Sequence, residues 1–296
     1  MSLLFTEDHM LLSYLFATLL VSGYQESLYP EWKQKFSVEE VIHQEKSKFW
    51  DLTIFENKRF GRVMAIDGVI QLTESDEFIY HEMMAHVPLL AHDDPKSVLI
   101  IGGGDGGLLR EVLRHESLET IVMVEIDPHV IQLSKQYMPN VSRGAFDNPR
   151  AQIVIQDAAK YVKETNETFD VIICDSNDPE GPAKALFTTE FYGDCRKIMN
   201  PNGILVNQNG VPFMQKSELK LTEENRKPHF KYVQFFVAPV PTYIGGFMAF
   251  GWASDKKGKV AEKVLEERLS KIKGKMQYYN PAIHRASFAL PQYMLD

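Results

Sequence analysis

Four short apolar runs in the middle of the chain each stop at an acid. Val98-Leu99-Ile100-Ile101 runs into the glycine loop Gly102-Gly103-Gly104-Asp105-Gly106-Gly107. Ile121-Val122-Met123-Val124 ends on Glu125, with Asp127 close behind. Ile153-Val154-Ile155 leads to Asp157, and Val171-Ile172-Ile173-Cys174 ends on Asp175. Continuous apolar runs of this length are strands buried on both faces. The segments between them are helix-like, such as Pro128–Tyr137 with proline near its first position. Alternating strand and helix imply a parallel sheet with helices on both faces. In such a sheet the ligand lies beyond the carboxyl ends of the strands, so these acids are expected to converge on one crevice.

The rest of the chain is placed around that sheet. Asp51–Phe55 alternates as a half-buried strand, Arg62–Ile66 follows, and Asp67-Gly68 is a hairpin turn before Val69–Leu72. These residues form a small antiparallel sheet. A helix is expected over Asp76–Val87, capped by Thr73 or Ser75 and stopped by Pro88, with Tyr80, Met83, Met84 and Val87 on one face. Ile204–Val206 and late strands near Tyr232–Ala238 and Phe247–Ala253 complete the edge. The expected division is an apolar extension over 1–30, a β-rich domain with its linking helix over 31–90, and a catalytic domain over 91–296.

The 296 residues carry a net charge of −8, which disfavours nucleic acid as a partner and suits a cationic substrate. Met10–Val21 is apolar but too short to span a bilayer, and Glu7 and Asp8 precede it where a secretory signal carries basic residues. No membrane association is expected. Cys174 and Cys195 show no metal spacing and are read as core residues of a chain that works in a reducing cytoplasm.

The glycine loop lets backbone approach a ligand, with Gly102 and Gly104 as the contact points. Glu125 lies 21 residues beyond Gly104, at a strand end, where its carboxylate can grip two ribose hydroxyls. That much suits NAD as well as an adenosyl sulfonium. Asp105 separates them: inside the loop it would repel a pyrophosphate or a carboxylate and attract an ammonium. The loop therefore favours a decarboxylated sulfonium nucleoside. Asp175-Ser176-Asn177-Asp178-Pro179 follows a buried strand and offers two carboxylates three residues apart. An alkyl amine is protonated near neutrality, and one carboxylate can take its proton while the other holds its direction.

These segments, together with Asp67–Glu74, Asp76–Met83, Gly181-Pro182, Pro241-Thr242-Tyr243 and Tyr278-Tyr279-Asn280, resemble the spermidine synthase family, its bacterial members in particular. The resemblance covers about Gln34 to Asp296. It implies a Rossmann-like domain of the S-adenosylmethionine-binding kind (an α/β fold) behind a small N-terminal antiparallel β domain. It implies transfer of aminopropyl from decarboxylated S-adenosylmethionine, as co-substrate, to putrescine, giving spermidine and 5′-methylthioadenosine without prosthetic group or metal. Carried over by position, Asp175 is the proton acceptor, Asp178 orients the amine and Asp105 holds the aminopropyl ammonium. Glu125 binds the ribose, Asp157-Ala158 meets the adenine and Pro182 lines the base. Tyr80, His81, Gln71 and Tyr243 wall the amine channel. A homodimer or homotetramer is implied. Trp50 stands where the family usually has glutamine, Ala158 where glycine often follows the acid, and Asn177 where serine or threonine is commoner. The rival readings are another amine acceptor (agmatine, cadaverine or spermidine), an S-adenosylmethionine-dependent diamine methyltransferase, and a catalytically silent nucleoside-binding protein.

Overall fold

The computed structural model describes residues 23–47, 49–179 and 181–295. The apolar run Met10–Val21 lies outside the described residues. The chain divides into two compact units between Asp76 and Glu77.

In the first unit, β1 (Tyr24–Gln25) pairs antiparallel with β2 (Lys35–Phe36). Four further strands, β3 (Glu40–Lys46), β4 (Asp51–Asn57), β5 (Gly61–Ile66) and β6 (Val69–Thr73), form an antiparallel sheet in chain order. Asp67 (φ 51°) and Gly68 (φ 84°) are both left-handed, as the tight hairpin between β5 and β6 demands. The carboxylate of Asp67 accepts the Asp51 amide at 2.8 Å. The core gathers Tyr24, Phe36, Val38, Phe55, Val63, Ala65 and Ile70. Tyr24 stacks on Phe55 at 4.9 Å, and Glu26 accepts the Ile70 amide at 2.9 Å. The expected extension over 1–30 is thereby corrected: from Tyr24 on, the chain belongs to this core. A two-residue ladder has no periodicity by which sequence could reveal it.

In the second unit, α1 spans Glu77–Ala91. It therefore belongs to this unit and not to the β-rich one. Two expectations about it are corrected. It runs through Pro88, and every residue but Phe78 is buried, so it has no single apolar face. Proline removes one helical donor, and burial of Leu89 and Leu90 outweighs that loss. Arg268 caps the exit, donating to the carbonyls of Leu90, Ala91 and His92 at 2.8, 3.1 and 2.8 Å. Glu82 accepts the backbone N–H groups of Gln277, Tyr278 and Tyr279 at 2.8, 2.9 and 2.8 Å. These bonds hold the helix that carries Tyr80 and His81.

The strands of this unit are β7 (Ser97–Gly102), β8 (Thr120–Glu125), β9 (Ala151–Ile155), β10 (Phe169–Asp175), β11 (Met199–Gln208), β12 (Tyr232–Pro239) and β13 (Phe247–Ser254). They lie in the order β12-β13-β11-β10-β7-β8-β9. The five from β11 to β9 are parallel, and β13 and β12 add antiparallel at the β11 edge. The order in which strands are added reverses between β7 and β10, which are themselves parallel. Connections from these two leave in opposite directions, which opens the crevice. Cys174 and Cys195 are buried and unpaired, core residues as expected. Among the described residues no helix is long and apolar enough to cross a membrane.

Candidate active site

Strand register decides which acids meet. Asp175 on β10 pairs with Gly102 on β7, and Glu125 on β8 pairs with Ile155 on β9. The strand-end carboxylates therefore lie at one level of the sheet. The Gly103 amide donates to the Asp175 carbonyl at 3.0 Å. Gly102 has φ 79°, and a β-carbon there would come within 2.1 Å of that carbonyl oxygen. Only glycine lets β7 leave the sheet this close to β10. The loop turns into α2 (Gly107–Leu113).

Asp105 sits on that loop and is held from α1. His81 Nε2 lies 3.2 Å from Asp105 Oδ1, and His81 Nδ1 lies 2.6 Å from Glu77 Oε2. The Gly107 amide donates to the same Asp105 oxygen at 2.7 Å. Glu77 is gripped from α2 by Arg110, whose Nη1 and Nη2 reach its two oxygens at 2.8 and 2.9 Å. Burial would push the His81 ring down, but Asp105 and Glu77 outweigh it and carry the ring up to about 10. Burial pushes Asp105 up; His81, the Gly107 amide and Arg110 outweigh it and hold the carboxyl below its usual range.

Asp175 has the opposite surroundings. Tyr80 donates to its Oδ1 at 2.6 Å. Its Oδ2 is buried and, among the described residues, meets no hydrogen-bond partner. Burial first, and then the Asp105 charge, push the carboxyl up to about 6, against the pull of His81 and the Tyr80 hydroxyl. Tyr243 packs edge-on against Tyr80 with ring centres 6.2 Å apart. His81, Asp105 and Asp175 offer ligand-type atoms within 4.8 Å of one another. Both nitrogens of His81 already face carboxylates, and a protonated ring has no lone pair for a metal. The two aspartates that share this space are suited instead to an organic cation.

Asp178 is steered by two glutamines that sequence reasoning missed. Gln208 Nε2 donates to Oδ1 at 3.3 Å and Gln215 Nε2 to Oδ2 at 2.8 Å. Gln208 ends β11, and its position at a strand end beside the crevice is the signal that could have found it. Glu77 carried a signal too, four residues before His81 on one helix.

On the nucleoside side, Glu125 is buried and accepts the Asp127 amide through Oε1 at 3.0 Å. Burial drives its carboxyl up to about 7, and the Asp127 and Ile126 amides restrain it. Its Oε2 lies 3.1 Å from where a Gly104 β-carbon would stand, so glycine keeps that approach open. Asp157 is the N-cap of the helix Ala158–Glu164, accepting the amides of Ala159 and Lys160 at 2.8 and 3.3 Å. Ala158 is buried behind it, and Pro182 is exposed on the 3-10 segment Gly181–Phe187. Gln71 and Trp50 belong to the first unit. Gln71 lies on β6 and donates to the Val69 carbonyl at 3.3 Å. Trp50 closes a turn before β4, its amide donating to Ser47 Oγ at 3.1 Å.

Residues 77–263 match the family model described as the spermine/spermidine synthase domain, and residues 23–74 match the spermidine synthase tetramerisation domain. The chain belongs to the spermine/spermidine synthase family. It is 52% identical over 275 residues to the polyamine aminopropyltransferase of Klebsiella pneumoniae (strain 342), a match covering 92% of this chain and 96% of that one. A second relative, the polyamine aminopropyltransferase of Salmonella typhimurium, is 51% identical over the same length and coverage. Among solved structures, a spermidine synthase in complex with the transition state analogue AdoDATO superposes with a TM-score of 0.86 at 39% identity, covering 91% of this chain and 92% of that one. The spermidine synthase of Thermotoga maritima gives 0.84 at 39% identity, covering 91% of each chain. As a family member, the chain is an aminopropyltransferase with the expected Rossmann-like and N-terminal antiparallel β architecture.

Proposed function

We propose that this enzyme transfers the aminopropyl group of decarboxylated S-adenosylmethionine to putrescine, giving spermidine and 5′-methylthioadenosine. The observation that carries the reading is the pair of dissimilar aspartates in the crevice. Asp105, held anionic, seats the ammonium at the end of the donor's aminopropyl tail. Asp175, with a buried oxygen that lacks a donor among the described residues and a carboxyl pushed up to about 6, takes the proton from the acceptor amine. A base matched to near-neutral pH transfers protons most efficiently. The freed nitrogen lone pair then forms a bond to the aminopropyl carbon next to sulfur. The carbon–sulfur bond breaks with its electrons going to sulfur, and a neutral thioether leaves. Asp178, fixed by Gln208 and Gln215, holds the far end of the diamine, beside the aromatic wall of Tyr80 and Tyr243. Glu125 takes the ribose hydroxyls, and Ala158 and Pro182 flank the adenine.

Family membership and the AdoDATO-bound relative support this donor. The crystal of that relative holds an analogue of the transition state, and its chain superposes over nearly all of this one. The match over residues 23–74 supports assembly as a homodimer or homotetramer. Two buried free thiols fit a reducing cytoplasm. The test is a panel of putrescine, agmatine, cadaverine and spermidine, each with decarboxylated or ordinary S-adenosylmethionine, read by mass spectrometry. Spermidine from putrescine and the decarboxylated donor is the expected main product. Methylated putrescine from the ordinary donor would overturn the reading, and faster turnover of another amine would replace the acceptor.

A further inference from the structure

The His81 ring is flanked on both sides by carboxylates, and this leaves one arrangement of its protons. A neutral ring donates from one nitrogen and presents a lone pair at the other. With Glu77 Oε2 at 2.6 Å from Nδ1 and Asp105 Oδ1 at 3.2 Å from Nε2, a lone pair on either side would face an anion. Only the doubly protonated ring satisfies both. The charged groups around it come from four elements: Glu77 on α1, Asp105 on the glycine loop, Arg110 on α2 and Asp175 at the end of β10. Arg110 is itself locked, with Nε donating to Glu111 Oε1 at 2.9 Å. Glu111 in turn accepts from Arg114 at 2.5 Å and meets His86 Nε2 at 2.9 Å. Glu77, His81 and Glu111 are buried. A line of alternating charge thus runs from the interior to the loop: Glu111, Arg110, Glu77, His81, Asp105.

The far end of this line meets the site at one atom. His81 and the Gly107 amide both engage Asp105 Oδ1. Among the described residues no donor reaches Asp105 Oδ2. The line therefore fixes the carboxylate's rotation as well as its charge and leaves Oδ2 for a cation.

We propose that Glu77 and Arg110 are positioning residues for the transfer, acting through His81: they keep its ring as a two-ended donor, so that Asp105 stays ionised and turned towards the donor's ammonium. This rests on Asp105 being the ammonium seat. Without the line, Asp105 and Asp175 would be two neighbouring carboxylates with nothing to keep them unequal, and one would tend to protonate.

Methylthioadenosine shares the nucleoside but lacks the aminopropyl tail, so it separates this role from general damage to the fold. In Glu77→Gln, residue 77 still accepts from Nδ1 but no longer carries charge. The ring then falls towards neutrality and turns a lone pair to Asp105. Decarboxylated S-adenosylmethionine is expected to bind about tenfold more weakly relative to methylthioadenosine, a loss worth about 1.4 kcal/mol. Arg110→Gln is expected to act in the same direction with a smaller loss. Equal weakening of both ligands overturns the proposal. Asp105→Asn tells the two ideas apart. If it leaves the preference for the tailed ligand intact, the ammonium seat itself is wrong. If it removes the preference while Glu77→Gln does not, only the positioning role falls. Should the variants fail to fold, nitrogen-15 NMR of histidine in the unaltered enzyme decides. His81 is expected to show two protonated nitrogens at pH 8, and a neutral ring there overturns the proposal.

Discussion

Asp105 and Asp175 are the same residue type in one crevice, yet their surroundings drive them apart. Asp105 takes the Gly107 amide on one oxygen with the His81 ring beside it, and that ring is anchored through Glu77 to Arg110. Asp175 receives the Tyr80 hydroxyl and, among the described residues, keeps a buried oxygen with no partner. Opposite charge favours the ionised form, while burial and a like charge favour the neutral one. The first carboxylate is therefore a fixed anion and the second a group that titrates near pH 6. Under the proposed function, two acids pushed apart in this way take different roles, one to hold charge and one to move a proton.

The largest effect that tests this contrast is at the base. Asp175→Asn should lower kcat by roughly 10²- to 10⁴-fold, the range for a lost general base, with methylthioadenosine affinity by calorimetry within a factor of two or so. Asp105→Asn should act on binding, raising KM for the decarboxylated donor about tenfold to a hundredfold, as expected for one charge-assisted bond. If both variants lose kcat equally with KM unchanged, the division of roles is broken.

The pH profile sharpens the comparison. The protonated form of Asp175 cannot accept the amine's proton, so kcat/KM should rise with pH through an apparent value near 6. Asp105 is one of the charges that hold that value up. Asp105→Asn should move the acid limb to lower pH. Tyr80→Phe removes a donor that favours the ionised form and should move the limb to higher pH. A limb that ignores both changes belongs to another group.

Stability should report the other half of the contrast. His81 is raised in the folded chain to about 10 from an ordinary 6.5. Its contribution is therefore full below about pH 6.5 and is lost as pH rises through about 10. Glu77→Gln should lower Tm by several degrees at pH 7 and by less at pH 10, measured by calorimetry. The smallest expected effect is at Asp178: Gln215→Ala should raise KM for the amine about threefold to tenfold, the cost of one hydrogen bond of about 1 kcal/mol, with the donor's KM unchanged.

Much of this is legible in the chain alone. Buried strands are written as apolar runs because both of their faces are covered, and the acids that end them converge because parallel strands share a direction. Asp105 could be read as hostile to phosphate from its place in the loop alone. The hairpin at Asp67-Gly68 was equally plain, since few residues accept left-handed backbone. The failures have physical reasons as well. Tyr24 joins the first unit's core through a ladder two residues long, which has no period to detect. Pro88 stops a helix whose stability rests on its own hydrogen bonds, but not one packed on all sides like α1. The partners of the His81 ring were not legible, since Asp105 reaches it from another element 24 residues further along the chain.

Fold class and the acids that stand at the strand ends could be read from the chain alone, because burial and strand direction are local and periodic properties. How those acids differ is set by packing. Arg110 meets Glu77 across 33 residues, and Tyr80 meets Asp175 across 95. A carboxylate's proton affinity depends on burial and on charges within a few ångströms, and those neighbours are brought in by packing from elements far apart in the chain.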